Sequence, residues 1–212
     1  MDEFGKEMAG ILLEALGVGP ERLDVESWIM ACHYYPPCPE PERVVGSLEH
    51  TDPNVLTVLA QDDVGGLQLR LDGGNNDGAW VDVPPVPGAL VVNIGDVLKL
   101  VSNDEYKSAV HKLRIKSDQD ARVPVATSFN PPKRGDSDLL GPLPELVTAE
   151  KPALYRSFTM TEFLKFRPEF GHGGSSTGGF RVAHDVKHFV SRAVQVMDPL
   201  VYDMEEEIAP DM

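Results

Sequence analysis

The chain has 212 residues, with 19 Lys+Arg against 34 Asp+Glu, and a formal net charge of −15. That length suits one domain with a full core or a core domain plus appendages, and 42% hydrophobic with 25% charged residues is an ordinary globular composition. The acidity argues against nucleic-acid and anionic-membrane partners, because both need Lys/Arg to neutralise phosphates.

The opening segment, Phe4 to Leu16, sets Phe4, Met8, Ile11, Leu12 and Ala15 at helical intervals, and Gly17 with Gly19-Pro20 stops it. From residue 27 the period changes to two. Short β-rich runs follow: Trp28 to Tyr35, Val55 to Ala60, Leu67 to Leu71, Ala79 to Val83, Ala89 to Ile94, Ala109 to Ile115 and Val123 to Phe129. Turn chemistry separates them, including Pro36-Pro37-Cys38-Pro39, Gly65-Gly66 and Pro84-Pro85-Val86-Pro87-Gly88. Short strands at this spacing predict a sandwich, barrel or jelly roll, interrupted by one helical turn over Asp96 to Ser102.

Beyond Asn130-Pro131-Pro132 the pattern loosens. Leu143 to Tyr155 reads as a covering segment, and Thr159 to Phe166 as a short helix with Thr159 and Glu162 offering a capping box. Residues 171–179 read as a Gly-rich linker, followed by a helix from His184 to Met197 and an acidic tail. The expected organisation is an N-terminal helix (1–20), a β-core (27–132), a covering segment (133–170), and a linker, helix and tail (171–212).

No apolar stretch approaches the roughly 20 residues of a membrane span. The N-terminus lacks the basic and apolar regions of a secretory signal. Cys32 and Cys38 flank a Pro-rich turn; they could pair, but a chain of this size needs no staple. A reduced, cytoplasmic setting and a monomer are the expectations.

His50-Thr51-Asp52 is the sharpest local feature. In an extended chain, residues two apart project to one face, so the imidazole and the carboxylate can grip one ion together. Alone, the tripeptide also fits a solvated turn. His111, opening a later β-run, is the best candidate for a third ligand. Two His and one carboxylate leave open positions, as in non-haem Fe(II) oxygenases, whereas a closed zinc site wants four ligands. Arg122 on the next run could reach inward as a fixed cation for a carboxylate, and Tyr35 could add a phenolic donor.

Together with these residues, several longer motifs carry a family resemblance. They are His33-Tyr34-Tyr35-Pro36-Pro37-Cys38-Pro39, Leu56-Thr57-Val58-Leu59, Gly65-Gly66-Leu67-Gln68, Trp80-Val81-Asp82-Val83-Pro84-Pro85 and Gly88-Ala89-Leu90-Val91-Val92-Asn93-Ile94-Gly95-Asp96. The chain resembles the plant-type Fe(II)/2-oxoglutarate-dependent dioxygenases, in the branch of 1-aminocyclopropane-1-carboxylate oxidase homologues, over about residues 27–132. The resemblance implies a mainly β fold, a double-stranded β-helix (jelly roll) with flanking α-helices. It implies His50, Asp52 and His111 as Fe(II) ligands, and Arg122, Tyr35 and His33 as the 2-oxoglutarate site. Phe129 falls where members often present a residue to the substrate cavity. The implied reaction oxidises a small organic molecule with dioxygen, by hydroxylation or desaturation, while 2-oxoglutarate is decarboxylated to succinate. Ascorbate is the reductant such a reaction would use.

Two departures stand out. The family's Arg-x-Ser pair is here Arg122-Val123-Pro124. The missing hydroxyl removes a hydrogen bond to a charged group, worth about 1.5–3 kcal/mol, and Pro124 should sit at an edge or bulge. The chain also begins within the helix that precedes the jelly roll, where family members carry a substantial N-terminal region. An alternative reading is therefore a truncated, catalytically impaired jelly roll that binds metal without turnover.

Other histidines carry less. His184 and His188 stand at helical spacing without the Glu of a His-Glu-x-x-His site and read as a solvated face; His172 sits in the Gly-rich linker. Residues 171–179 lack a Gly-x-Gly-x-x-Gly pattern, and Asp62-Asp63 read as turn residues.

Overall fold

Apolar residues that alternate along successive short runs can bury one face of each strand, and two sheets result. A computed structural model of the chain describes residues 1–71, 78–132, 139–166 and 177–182. In it, helix α1 (Asp2–Ala15) leads into strands β1 (Glu26–Cys32), β2 (Val45–His50), β3 (Leu56–Ala60), β4 (Leu67–Arg70), β5 (Trp80–Asp82) and β6 (Leu90–Ile94). Helix α2 (Asp96–Val101), β7 (His111–Arg114), β8 (Val125–Asn130) and helix α3 (Met160–Lys165) follow.

The strands form two antiparallel four-stranded sheets, ordered β1-β8-β3-β6 and β2-β7-β4-β5. Most successive strands cross from one sheet to the other, which is the winding of a double-stranded β-helix; the expected fold class holds. The expected helix, the helical turn before residue 102 and the strand runs all form, with ends shifted by a few residues. One strand escaped the sequence pattern. β2 carries Gly46, Ser47 and Glu49 and lies at a sheet edge, so it shows no apolar alternation to read.

The main apolar core sits behind the first sheet rather than between the two. Leu56 and Val58 of β3 and Phe129 of β8 face outward against Ala9 and Leu13 of α1, with Val97, Leu98 and Leu100 of α2 closing the end. The opposite face carries Thr57 of β3 and its partner Asn93 of β6, with Leu59, Val91 and Ala126 further along the same face. This division follows from the period of two: one face of a strand can be oil while the other carries chemistry.

Among the described residues after 139, Leu143, Tyr155, Phe158, Phe163 and Phe180 are buried in the core. Thr159 caps α3 as expected, its Oγ1 accepting from the Glu162 N–H at 3.1 Å. Residues 177–182, placed by sequence in the linker and tail, join the core instead. Phe180 is 0% exposed, with ring centroids 5.1, 5.7 and 5.3 Å from those of Phe158, Phe163 and Phe166. Backbone bonds from Arg156 N–H to the Phe180 carbonyl (2.9 Å) and from Val182 N–H to the Leu154 carbonyl (2.8 Å) hold it there. A single aromatic after a run of glycines gives no periodic signal, which is why sequence did not place it. The expected helix over His184 to Met197, the acidic tail and His172 lie outside the described residues.

Because four phenyl rings share one cluster, Phe180→Ala is expected to lower unfolding free energy by about 3–5 kcal/mol. A linker position would change it by less than about 0.5 kcal/mol. Urea denaturation distinguishes the two.

Candidate metal centre and anion site

The second sheet brings two imidazoles together. β2 and β7 pair with His50 opposite His111, and the ring centroids stand 4.3 Å apart. Each ring is oriented by the backbone two residues earlier: His50 Nδ1 bonds the Leu48 carbonyl at 2.8 Å, and His111 Nδ1 bonds the Ala109 carbonyl at 3.1 Å. A carbonyl can only accept, so Nδ1 carries a proton in both rings, and in the neutral form of each ring the lone pair is on Nε2.

Asp52, just beyond β2, reaches across to the first sheet. Its Oδ2 accepts from Thr57 Oγ1 at 2.5 Å and from Asn93 Nδ2 at 2.8 Å. Thr57 and Asn93 are directly opposed on β3 and β6, so the sheet register itself builds this two-donor cradle. Asn54 Nδ2 donates to the Thr57 hydroxyl at 2.7 Å, directing that hydroxyl's own proton at Asp52. The other oxygen, Oδ1, faces the imidazoles, 3.7 Å from His50 Nε2 and 3.6 Å from His111 Nε2.

Burial is the largest single influence on the Asp52 carboxyl and pushes its pKa up. His111, the hydrogen bonds from Asn93 and Thr57, and His50 together outweigh it and hold the group below the ordinary carboxylate range. The backbone is fixed from α2: Asp96 N–H donates to the Asp52 carbonyl at 2.7 Å, and Thr51 Oγ1 donates to Asp96 Oδ2 at 2.9 Å. Gly95 permits this approach, since a Cβ there would stand 2.0 Å from the Asn54 carbonyl oxygen.

Three ligand atoms of His50, Asp52 and His111 thus lie within 4.8 Å of one another. Two imidazole lone pairs and one ionised carboxylate oxygen, without thiolate, suit a divalent first-row ion that keeps open coordination positions. The donors fit Fe(II) on that chemistry.

A second cluster lies where the β1–β8 ladder runs past the strand ends. Tyr35 and Arg122 exchange two backbone hydrogen bonds of 2.9 Å, the Arg122 guanidinium carbon is 5.8 Å from the Tyr35 ring centroid, and His33 stacks on Tyr35 at 6.0 Å. Arg122 is 5% exposed, and its Nη2 donates to Gln61 Oε1 at 3.3 Å. Its buried Nε has no hydrogen-bond partner among the described residues. Burial lowers the guanidinium pKa, against Asp62 and Tyr35, which raise it; an arginine nevertheless stays protonated. A buried cation with an unused donor is costly unless an anion completes it, and a planar carboxylate is the matching shape.

Six of the seven residues expected at the site therefore fall into these two clusters. Phe129 does not. It stands an odd number of residues from Arg122 and so on the opposite face of the strand; it is 0% exposed, and its ring fills the place where a Cβ on Gly5 of α1 would be, 2.1 Å from Cε1. Phe129 is a core residue, not a cavity residue. Sequence reading also missed Thr57, Asn93 and Gln61. The available signal was a lone polar residue inside an apolar strand run, as in Leu56-Thr57-Val58 and Val92-Asn93-Ile94. Asp62 behaves as the turn residue expected, accepting from the Val64 N–H at 3.1 Å and from the Val123 N–H.

Residues 27–131 match the 2OG-Fe(II) oxygenase superfamily. The chain is 42% identical over 177 residues to 1-aminocyclopropane-1-carboxylate oxidase homolog 12 of Arabidopsis thaliana, covering 82% of this chain and 47% of that protein. Homolog 10 from the same plant is 43% identical over 165 residues, covering 76% and 44%. The chain spans about half the length of the curated relatives it matches. Among solved structures, JOX2 in complex with 2OG, Fe and JA superposes with a TM-score of 0.71 at 32% identity, over 85% of this chain and 53% of that one. The rice dioxygenase for auxin oxidation gives 0.71 at 29% identity, over 86% and 60%.

The cradle under Asp52 makes Thr57 testable. Thr57→Val removes the hydroxyl that points at Oδ2, and divalent-metal affinity is expected to fall about 10–100-fold. Competition of Co(II) between the protein and a chromophoric chelator measures it, with circular dichroism confirming the fold; unchanged affinity would remove Thr57 from the role.

Proposed function

The chain belongs to the 2OG-Fe(II) oxygenase superfamily through residues 27–131, and on that premise we propose that it is an Fe(II)- and 2-oxoglutarate-dependent dioxygenase of a small organic metabolite. The observation that carries the reading is the pairing of two sites: a His50–Asp52–His111 triad with its ligand atoms turned together, and a buried Arg122 with an unused donor. A metal site alone would fit many chemistries. A metal site with a buried carboxylate receptor fits an oxoacid co-substrate.

His50, Asp52 and His111 would hold the metal. Fe(II) bound there would supply the activation of dioxygen that couples decarboxylation of 2-oxoglutarate to oxidation of a C–H bond. The chain's own residues would do the rest. Leu48 and Ala109 carbonyls keep both imidazoles in the tautomer that presents Nε2. Thr57 and Asn93 hold Oδ2 of Asp52, so Oδ1 is the oxygen that would meet a metal. Arg122, with Tyr35 and His33 beside it, would take the distal carboxylate of 2-oxoglutarate and so fix which end of the co-substrate meets the metal. Hydroxylation or desaturation of the organic substrate is the expected outcome. The relatives support a small-molecule substrate, since one is solved with JA and another is a dioxygenase for auxin oxidation. A reduced, cytoplasmic setting belongs to the same reading, supported by the unpaired thiols of Cys32 and Cys38.

Pro124 favours one competing reading, metal binding without turnover, because it offers the anion site no hydroxyl. Anaerobic addition of Fe(II) and then 2-oxoglutarate separates the two. The dioxygenase should develop a visible charge-transfer band and release succinate when oxygen is admitted. His111→Ala should lose both. Arg122→Met should keep metal affinity but weaken 2-oxoglutarate about 100-fold, the equivalent of some 3 kcal/mol for a lost charge-assisted pair. A folded, iron-loaded protein without the band would overturn the proposal.

A further inference from the structure

The anion site holds a donor that neither the Arg122–Tyr35 pair nor the metal triad uses. The last registered pair between β3 and β8 is Ala60–Val125, so the next step outward sets Gln61 opposite Pro124. Pro124 accepts the His33 N–H through its carbonyl at 3.1 Å. It has neither an N–H nor a polar side chain, so it gives no donor to the face it shares with Arg122.

Gln61 is differently equipped. Its Oε1 accepts from Arg122 Nη2 at 3.3 Å. That bond also fixes the orientation of the carboxamide, because its NH2 cannot face a guanidinium donor. The amide NH2 has no hydrogen-bond partner among the described residues. Arg122 Nε, buried, is without one as well. Two open donors therefore flank one buried positive charge. The neighbouring carboxylate of Asp62 does not meet this demand, since its oxygens accept from the Val64 and Val123 N–H groups and hold the backbone beside Arg122 in place.

We propose that Gln61 is a direct ligand of the distal carboxylate of 2-oxoglutarate, its amide N–H bonding one oxygen while Arg122 bonds the carboxylate beside it. The proposal rests on the 2-oxoglutarate reading above. In this arrangement Gln61, just after β3, supplies the neutral donor that Pro124, just before β8, cannot, and Arg122 keeps its orientation through the same side chain.

Binding, rather than turnover, tests it. The 212-residue chain is loaded with Mn(II) in place of iron, and calorimetry compares 2-oxoglutarate with 2-oxobutanoate, which has the same oxoacid head but no distal carboxylate. Gln61→Leu should weaken 2-oxoglutarate roughly tenfold, the effect of one hydrogen bond to a charged group, and leave 2-oxobutanoate unchanged. Gln61→Glu, nearly the same shape, should weaken 2-oxoglutarate further by setting like charges together, again sparing 2-oxobutanoate. Unchanged 2-oxoglutarate affinity in both variants, or equal losses for the two ligands, would overturn the assignment. A wild-type protein that binds Mn(II) but not 2-oxoglutarate would instead overturn the co-substrate reading itself.

Discussion

One carboxylate has to face two ways. Asp52 gives Oδ2 to Thr57 and Asn93 of the first sheet and turns Oδ1 toward His50 and His111 of the second. Two donors on one oxygen leave the other as the only free acceptor, and a buried carboxylate with its pKa held low must find a positive partner for it. The same side chain therefore joins the two sheets and defines where a cation belongs. Nearly everything around it serves that division: the α2 N–H on its carbonyl, Gly95 allowing the close approach, and Asn54 setting the proton of Thr57.

The placement of the apolar core makes this possible. In many β-sandwiches the space between the sheets is filled with hydrocarbon. Here the larger cluster lies outside, where α1 packs on the back of the first sheet and α2 and the aromatic group around Phe180 extend the same cluster. Burial that stabilises the fold is thus separated from the interior face, which can hold Thr57, Asn93, Asp52 and Arg122. Charged and polar groups there cost desolvation, and the dense hydrogen bonding around Asp52 offsets it. Arg122 is less fully compensated, its buried Nε having no hydrogen-bond partner among the described residues, and the proposed carboxylate would complete it.

The two clusters differ in how strongly the chain specifies them. The triad is fixed by registered strand pairing, His50 to His111 and Thr57 to Asn93, with each side chain held by a further bond. The anion site lies beyond the strand ends and is held by two backbone bonds between Tyr35 and Arg122, with Gln61 and Asp62 on one side. Pro124 stands at the step where a reciprocal ladder bond would form, accepting from His33 but donating nothing. The expected edge or bulge position is not the one it takes: Pro124 directly precedes β8, an inner strand between β1 and β3, and is tolerated at the strand's start.

What the sequence determined by itself was the set of short β-runs, the helix before them, and the His-x-Asp spacing that puts two ligands on one face. Those are local matters, fixed by periodicity, turn residues and side-chain direction within a few positions. The longer motifs extended this to His111 and Arg122, because they are read as an ordered series rather than one at a time. Tertiary structure decided the rest. β2 has no apolar alternation and becomes a strand through its pairing with β7. Phe129 faces the core because it pairs with Leu56 on the face of the sheet that packs against α1, and Phe180 finds its place through rings distant in sequence. Thr57, Asn93 and Gln61 acquire roles only when strands far apart in the chain lie side by side, since a hydrogen bond depends on where its partner stands and no local pattern records that.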